Sequence, residues 1–561
     1  MYTMRIRFFL TILVAGLLVG GLFTGCGPDR QAESTDPAWD EVPAILARIV
    51  PPAFPAREFS VGEYGAVADG VTDCREAITA AIEACAAAGG GHVLVTAGKY
   101  LVNGPLHLKS NVDLHLMKGA RLRFGVNPED YLPAVLVRWE GTRCYNYSPL
   151  IYAYQQENVA ITGRGIIDGQ GDKFWYLWKL IHDPDKAILR KMGQELVPVE
   201  ERVFGAGHFL RPTLMEFYEC ENILIEGVKV RNSPFWTIHP VLCTNVTVRN
   251  VKVERGKSND DGCNPESSQY VLIENSSFYT QDDNIAIKAG RDNDAWAENG
   301  GRPTENVIIR NCSFRGETGA LTIGSEMSGG VRNIFAENCT MDTIKRPFYI
   351  KSNTDRGGIV EDLHFRNIKI NHATEAVMLI QLDYKGATVG RYPATYRNFH
   401  FENITCGSTP VGFRISGLPG KAVDAITLNR ITIGETQREA EIAYVRDLVL
   451  RDVELGLVEA FPEDVQAGAG EEQPGRLRWK NLPEPVRQAY LRAFNKVVDG
   501  STGVPIAARE EVQRAFAKRP FVTIIEPLQV EGRSAYRLTQ SFGSDNIVVL
   551  ITEDGRVLES T

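Results

Sequence analysis

The sequence predicts an all-β protein built on a parallel β-helix, with a capping helix at its N-terminal end and a small α+β domain behind it. The first observation is a loose repeat that begins near residue 157. Each copy is a short alternating apolar strand, a Gly or Asn, and a second short strand. Residues 223–230 (Ile-Leu-Ile-Glu-Gly-Val-Lys-Val) and 246–253 (Val-Thr-Val-Arg-Asn-Val-Lys-Val) are clear copies. Others are centred on Asn275, Asn311, Asn338, Asn367 and Asn403, with Arg430 and Asp452 at a degenerate end. The second observation is the spacing: from Gly227 onward the gaps are 23, 25, 36, 27, 29 and 36 residues. Constant strand pairs with variable gaps imply insertions at the corners of coils. The recurring Gly or Asn implies a single left-handed residue that bends the chain, because these residues adopt that conformation most readily. Alternation sends one set of side chains inward and the other outward. So small a unit cannot bury its apolar face alone, and successive copies must stack.

The elements follow in chain order. Arg5 and Arg7 precede an apolar stretch, residues 8–23, which ends in Thr24-Gly25-Cys26. That is a targeting segment, too short for a comfortable membrane span. Small residues before a cysteine resemble the bacterial lipoprotein processing site, although Phe23 stands where Leu is usual. Residues 1–26 are thus expected to be a signal peptide and Cys26 the lipidated residue. This implies an exported protein held by a lipid anchor at the outer membrane, facing the periplasm or the cell surface. Residues 27–56 read as a polar, proline-containing tether. The β-helix domain then spans 57–460. Its alanine-rich stretch at 73–88, closed by Gly89-Gly90-Gly91, reads as a helix that caps the open end of the solenoid. Expected loops are 290–304, 383–396 and a longer insertion, 172–208, whose Trp175 and Trp178 could serve as aromatic platforms beside a groove. After Leu457 the repeat fails. Residues 461–475 are a linker, and 476–561 a small α+β domain with helices near 485–496 and 508–517 and strands near 521–525, 534–539 and 547–551. The Trp479-Lys480-Asn481-Leu482-Pro483 opening and Asp554-Gly555-Arg556-Val557-Leu558 ending of this domain faintly resemble PepSY-like periplasmic domains.

Bulk composition narrows the function classes. The apolar share is 43%, enough for a sizeable core. Asp and Glu number 70 against 61 Lys and Arg, a net charge of −9, and no long basic run appears. Nucleic acid is therefore not the expected partner. An acidic polysaccharide remains compatible, since a local basic patch would suffice. Nine cysteines follow Cys26, an odd number that makes no disulfide framework. Cys312 and Cys339 hold equivalent repeat positions and read as stacked buried thiols. No cysteine–histidine cluster has zinc spacing, so no metal or other cofactor is expected.

The chemistry concentrates in two short segments, Ser258-Asn259-Asp260-Asp261-Gly262 and Thr280-Gln281-Asp282-Asp283-Asn284. Asp261 and Asp282 are 21 residues apart, close to one coil of the repeat. Neighbouring coils lie about 4.8 Å apart. Stacking would gather Asp261, Asp282 and Asp283 in one patch, where mutual repulsion raises at least one pKa. One carboxyl then stays protonated beside ionised neighbours, as glycosidic hydrolysis requires. A calcium site or a solvated acidic turn is the plainer alternative, but the surrounding Gly and aliphatic residues suit a tight coil better than a calcium loop.

Residues 58–455 resemble the polygalacturonases of glycoside hydrolase family 28. The family's Asn-Thr-Asp-Gly motif is similar to Asn259-Asp260-Asp261-Gly262. Its Gly-Asp-Asp-Cys and following Ile-Ala-Ile-Lys are similar to residues 281–288. Residues 323–333 (Ile-Gly-Ser-Glu-Met-Ser-Gly-Gly-Val-Arg-Asn) and 232–240 (Asn-Ser-Pro-Phe-Trp-Thr-Ile-His-Pro) also resemble it. The resemblance implies a right-handed, pectinase-like β-helix and hydrolysis of pectic polysaccharide or oligosaccharide by inversion. Asp282 would be the general acid, while Asp261 and Asp283 would hold and deprotonate the attacking water. It also implies substrate contacts at Asn259, His239, Thr318, Tyr349 and Lys351. Two of these depart from the family pattern. Thr318 stands where Gly-His-Gly has its histidine, and Tyr349 where Arg-Ile-Lys has its arginine. Together they remove two potential positive charges, which shifts the expectation toward rhamnose-containing or decorated pectin. Lys351 keeps one carboxylate contact. A catalytically silent glycan-binding lipoprotein is a competing reading, opposed by the retention of three acids. A β-helix polysaccharide lyase ranks behind both.

Overall fold

The computed structural model describes residues 36–297, 300–387, 390–458, 485, 487, 524–530, 533–542, 545–554 and 556–560. Cys26 and the apolar segment before it, the 461–475 linker and the expected helices near 485–496 and 508–517 lie outside the described residues, apart from positions 485 and 487. No helix among the described residues is long and apolar enough to cross a membrane.

The repeat folds as a right-handed parallel β-helix whose strands run from Glu58–Ser60 to Val445–Leu457. Each coil contributes to three parallel stacks. The first contains Glu221–Glu226, Thr244–Arg249, Gln269–Glu274 and Thr304–Arg310, each pairing with the next. The second contains Lys229–Arg231, Lys252–Val253, Ser277–Thr280 and Ser313–Gly316. The third contains Met215–Tyr218, Ile238–Val241, Ile285–Ile287, Gly319–Ile323, Arg346–Lys351 and Ala376–Gln381. Inward residues form rows such as Val246, Val271, Val307 and Ile334, all fully buried. These rows carry the burial that a single coil could not supply.

Every predicted corner residue from Gly227 to Asp452 has positive φ, including Arg430 and Asp452. The side chains also bond along the stack: Asn403 donates to Asn367 at 2.7 Å, and Asn367 to Asn338 at 3.2 Å. A second ladder, absent from the sequence reading, joins Asn245, Asn222 and Asn158 at 2.7 and 3.0 Å. Cys312 and Cys339 are free and buried, as are the seven other described cysteines.

The capping helix is Arg75–Ala87, and it buries Ile78, Ala81, Ile82 and Cys85. That spacing is the inward stripe of a helix seated on a core. It stops where Gly89 takes φ 82°.

Two expectations need correction. The described part of the predicted tether is folded onto the solenoid. Pro37–Glu41 and Val42–Arg48 are helical, and Trp39, Val42, Ile45 and Ile49 pack on Leu272, Ile308 and Phe335 of the first stack. Arg366 lies 3.7 Å over the Trp39 ring, and His364 bonds Asp36 at 2.5 Å. Apolar residues three and four positions apart drive this docking, within a segment whose prolines suggested a tether. Second, Trp175 and Trp178 are not platforms. They are 0% and 3% exposed and join the main core through edge contacts with Tyr131 and Tyr147 at 5.3 and 5.1 Å. They anchor the insertion, which carries helix Asp183–Gln194.

At the C-terminus, Ile524–Val530, Arg533–Phe542, Asp545–Thr552 and Val557–Ser560 form an antiparallel sheet. Its fourth strand was not anticipated.

Candidate active site

The acids meet on the outer face of the third stack. Cys263 bridges Ile285, and Ile285 pairs with Leu321. Counting back two residues on each coil puts Asp261, Asp283 and Gly319 side by side. Asp282 comes one residue earlier and faces the groove: it is half-buried, whereas Asp261 and Asp283 are 3% and 1% exposed.

Each carboxylate has its own surroundings. Asp283 accepts the Gly319 N–H at 3.0 Å and pairs with Lys351 at 2.8 Å. Asp261 accepts Asn264 Nδ2 at 2.8 Å and lies 3.7 Å from Lys288. Asp282 accepts Asn259 Nδ2 at 3.3 Å and its neighbour's N–H at 3.0 Å. Burial and then the charge of Asp283 raise the Asp282 carboxyl above the ordinary range. Burial and then Asp282 raise Asp261 well above it. The two titrate as a unit, since charging one opposes charging the other. Asp260, in the same motif, is structural. It accepts the N–H groups of Gly256, Gln281 and Asp282, and burial pushes it up to about 6.

Asn259 and Lys351, expected as substrate contacts, thus bond to Asp282 and Asp283. Thr318 lies one coil beyond Gln281 and donates to its carbonyl at 3.2 Å. Tyr349 is 4% exposed and carries two cations on its ring, Lys351 at 4.3 Å and Arg346 at 4.5 Å. Arg346, at the start of the same strand, is ion-paired with Glu375 at 2.6 Å. His239 is a correction: it is 0% exposed, bonded to Glu266 at 2.8 Å and paired with Glu216 at 3.5 Å, so it touches no substrate in the groove.

Trp236 stands edge-on to the His239 ring at 4.9 Å, and the hairpin Val135–Trp139/Thr142–Asn146 packs on its two carboxylate partners. Arg138 donates its backbone N–H to Glu216 and its guanidinium to Ser267, both at 3.0 Å. Trp139 stacks on Phe235 at 5.1 Å. At the tip, Gly141 accepts the Arg291 N–H at 2.9 Å. Glu140 binds Arg190 at 2.6 Å; burial opposes its charge, but Arg190 and Lys186 hold it down at about 2. The hairpin thus packs on Glu216 and Glu266 of the third stack and, at its tip, on Arg291.

Sequence reasoning assigned no role to several groups at this site. Lys288 and Glu326 pair at 3.3 Å beneath the acids. Burial opposes the charge of Glu326, yet Lys288, Arg356 and Arg291 hold it well below its usual range. Both were visible as the ends of the Ile-Ala-Ile-Lys and Gly-Ser-Glu segments. Arg211, which donates to Asn259 at 2.7 Å, had no such signal.

The profile of glycosyl hydrolases family 28 matches residues 206–451, and that of rhamnogalacturonase A/epimerase, pectate lyase-like proteins matches 58–115. A hyperthermoactive exopolygalacturonase from Thermotoga maritima, known from its crystal structure, is 39% identical. It superposes with a TM-score of 0.72, covering 75% of this chain and 96% of that one. A probable polygalacturonase of Vitis vinifera is 27% identical over 443 residues, 75% of this chain and 81% of its own. An exo-poly-alpha-D-galacturonosidase of Dickeya chrysanthemi is 27% identical over 397 residues, 63% of either chain.

Proposed function

From the chain's membership of glycosyl hydrolase family 28, which makes it a glycoside hydrolase, we propose that it removes residues from one end of galacturonate chains with inversion at the anomeric carbon. Asp282 protonates the glycosidic oxygen as its bond to C1 breaks. A water on the opposite face attacks C1 and passes its proton to Asp283, while Asp261 orients that water. Lys351 and Lys288 balance two of the three carboxylates, leaving one proton for Asp261 and Asp282 to share. Asp282 is the one positioned to donate it, being the acid open to the groove.

The observation behind the exo reading is the hairpin packed on Glu216 and Glu266, where it would stand in the way of a polymer continuing past the acids. Two relatives named as exo-acting support the same reading. Homogalacturonan is favoured over rhamnose-containing pectin by the relatives, which are named for acting on polygalacturonate. Incubation with separate homogalacturonan, rhamnogalacturonan and oligogalacturonides tests this. Mono- or digalacturonate should dominate from the earliest times with little loss of viscosity, and early NMR should show an inverted anomer. Mixed-length oligomers with a rapid viscosity drop would overturn the exo mode, and an unsaturated, ultraviolet-absorbing product would overturn hydrolysis.

The pattern of Arg5, Arg7, the apolar run and Cys26 further supports export and lipid anchoring. Cys26→Ser should move the enzyme from the membrane to the soluble exported fraction. Equal membrane recovery of both forms would sink the anchor.

A further inference from the structure

We propose that Arg211 is a positioning residue for the general acid, acting through Asn259 to hold the Asp282 carboxyl in its groove-facing orientation. The role rests on Asp282 being the acid, as proposed above, and adds to it a support that crosses from the neighbouring coil.

Arg211 is 1% exposed, so it does not itself reach a sugar in the groove. One arm of its guanidinium donates to the carbonyls of Pro234 and Ser258 at 3.0 and 2.9 Å, and the other to Asn259 Oδ1 at 2.7 Å. Ser258 and Asn259 open the acid motif, and Asn259 takes a left-handed φ of 65°, which asparagine tolerates well. The guanidinium thus grips this corner at two successive residues. Its own place is set by the docked hairpin. Trp139 Nε1 donates to the Arg211 carbonyl at 3.0 Å, and Trp139 stacks at 5.1 Å on Phe235, whose ring lies 5.0 Å from the guanidinium.

From Asn259 the bonds continue to the acid. Asn259 Nδ2 donates to Asp282 Oδ2 at 3.3 Å, while Asp282 Oδ1 accepts the Asp283 N–H at 3.0 Å. Asp260 holds the backbone N–H of Asp282 at 2.8 Å, and Asn259 is the group that holds Oδ2. An amide offers donors on one side and an acceptor on the other, whereas a guanidinium has donors only. Arg211 therefore keeps the amide oxygen turned to itself and the NH2 turned to Asp282. A donor there favours the charged carboxylate and so eases release of the proton. Turned over, the amide would present its oxygen, accept the proton of Asp282 and keep it from the leaving group. A buried cation with no access to substrate bears on turnover in this way.

Steady-state kinetics on trigalacturonate across pH, with Arg211→Met, Asn259→Gly and the double variant, test the role. Glycine keeps the left-handed corner and removes only the amide. Arg211→Met should lower kcat about 10- to 100-fold, the scale of a small misplacement of a reacting group, with KM little changed. The basic limb of kcat should move up by about one pH unit, the worth of one hydrogen bond to a charged group. Both the lost cation and the freed amide favour protonated Asp282, so the two effects share that sign. Asn259→Gly should show a similar loss and the same direction of shift. The double variant should be no worse than Arg211→Met, because both changes cut one chain of bonds. Arg211→Lys keeps a cation and a donor, and should hold the limb near its native position. A packing role alone would lower the unfolding midpoint, leave the limb in place and add to Asn259→Gly; either an unmoved limb or additive losses would overturn the proposal. A raised KM with native kcat in Asn259→Gly would overturn it too, by making Asn259 a substrate contact. If Arg211→Met does not fold, Asn259→Gly still decides, since native kcat and an unmoved limb there sink the role. Native turnover in Asp282→Asn would remove acid and relay together, whereas the expected loss in Asp282→Asn beside additive Arg211 and Asn259 variants would remove the relay alone.

Discussion

Asp282→Asn is expected to lower kcat by about 10²- to 10⁴-fold, the usual contribution of a positioned general acid, with oligogalacturonide affinity changed little. The amide is nearly isosteric, and its oxygen can still accept the Asp283 N–H that Asp282 accepts at 3.0 Å. What it lacks is a proton to give the leaving oxygen. The pH profile should change in kind as well. Burial and the charge of Asp283 raise the Asp282 carboxyl, so it remains protonated above the ordinary aspartate value of about 3.9. Activity should fall as pH rises through that raised value, and this limb should be missing from the residual activity of the variant. Steady-state kinetics across pH, with calorimetric binding alongside, tests both statements. Native turnover in the variant would place the acid elsewhere. A native protein that binds oligogalacturonide without cleaving it, and a variant that binds equally well, would favour a glycan-binding role.

Lys351→Met should damage both stability and turnover. Lys351 is 6% exposed and holds Asp283 at 2.8 Å, and Asp283 is 1% exposed. Removing one partner of a buried pair leaves an uncompensated charge, at a cost of about 3–5 kcal/mol. The cost falls if Asp283 takes up a proton, but a protonated Asp283 no longer accepts one from water. Denaturant unfolding should therefore show the loss at neutral pH, and kcat should fall by about 10²-fold or more at the native optimum. Lys351→Arg, which keeps the charge, should recover much of the stability. The sign of the lysine's own linkage is clear. Its pKa is raised well above the usual value, because Asp283 and the neighbouring tyrosines outweigh the opposing effect of burial. That stabilisation is fully present below about pH 10.4 and is lost only as pH rises through the folded-state value. Stability and activity in Lys351→Met equal to those of the native enzyme would remove Lys351 from the site.

The coils and the acids were legible because both depend on short stretches of chain. A left-handed corner at Asn250 or Asn275 follows from the residue and the apolar strands beside it, and the structure gives positive φ at each. Asp261 and Asp283 become neighbours because a coil's length sets which residues align, and the bridge between Cys263 and Ile285 places them there. The motif around His239 was read equally well as sequence and assigned the wrong surroundings. Its outward direction follows from strand alternation, but its burial depends on Arg138, 78 residues before the Glu216 it contacts. Docking of the 36–50 segment has the same character: Asn245 donates to the carbonyl of Val50, 195 residues away. No periodicity reports such partners.

Local conformational preference and one-coil stacking are written in the order of residues, so the solenoid, its cap and the carboxylate patch could be read before any coordinates. Which side chains a hairpin buries and which aromatics are anchors are properties of segments meeting across large sequence distances. Arg143 on the hairpin and Asp294 beyond the acids are 151 residues apart and 3.2 Å apart in space. Their pairing depends on how insertions pack against the finished solenoid. For that reason the chemistry of hydrolysis was visible in the chain, while the docked hairpin and the burial of His239 emerged from the fold.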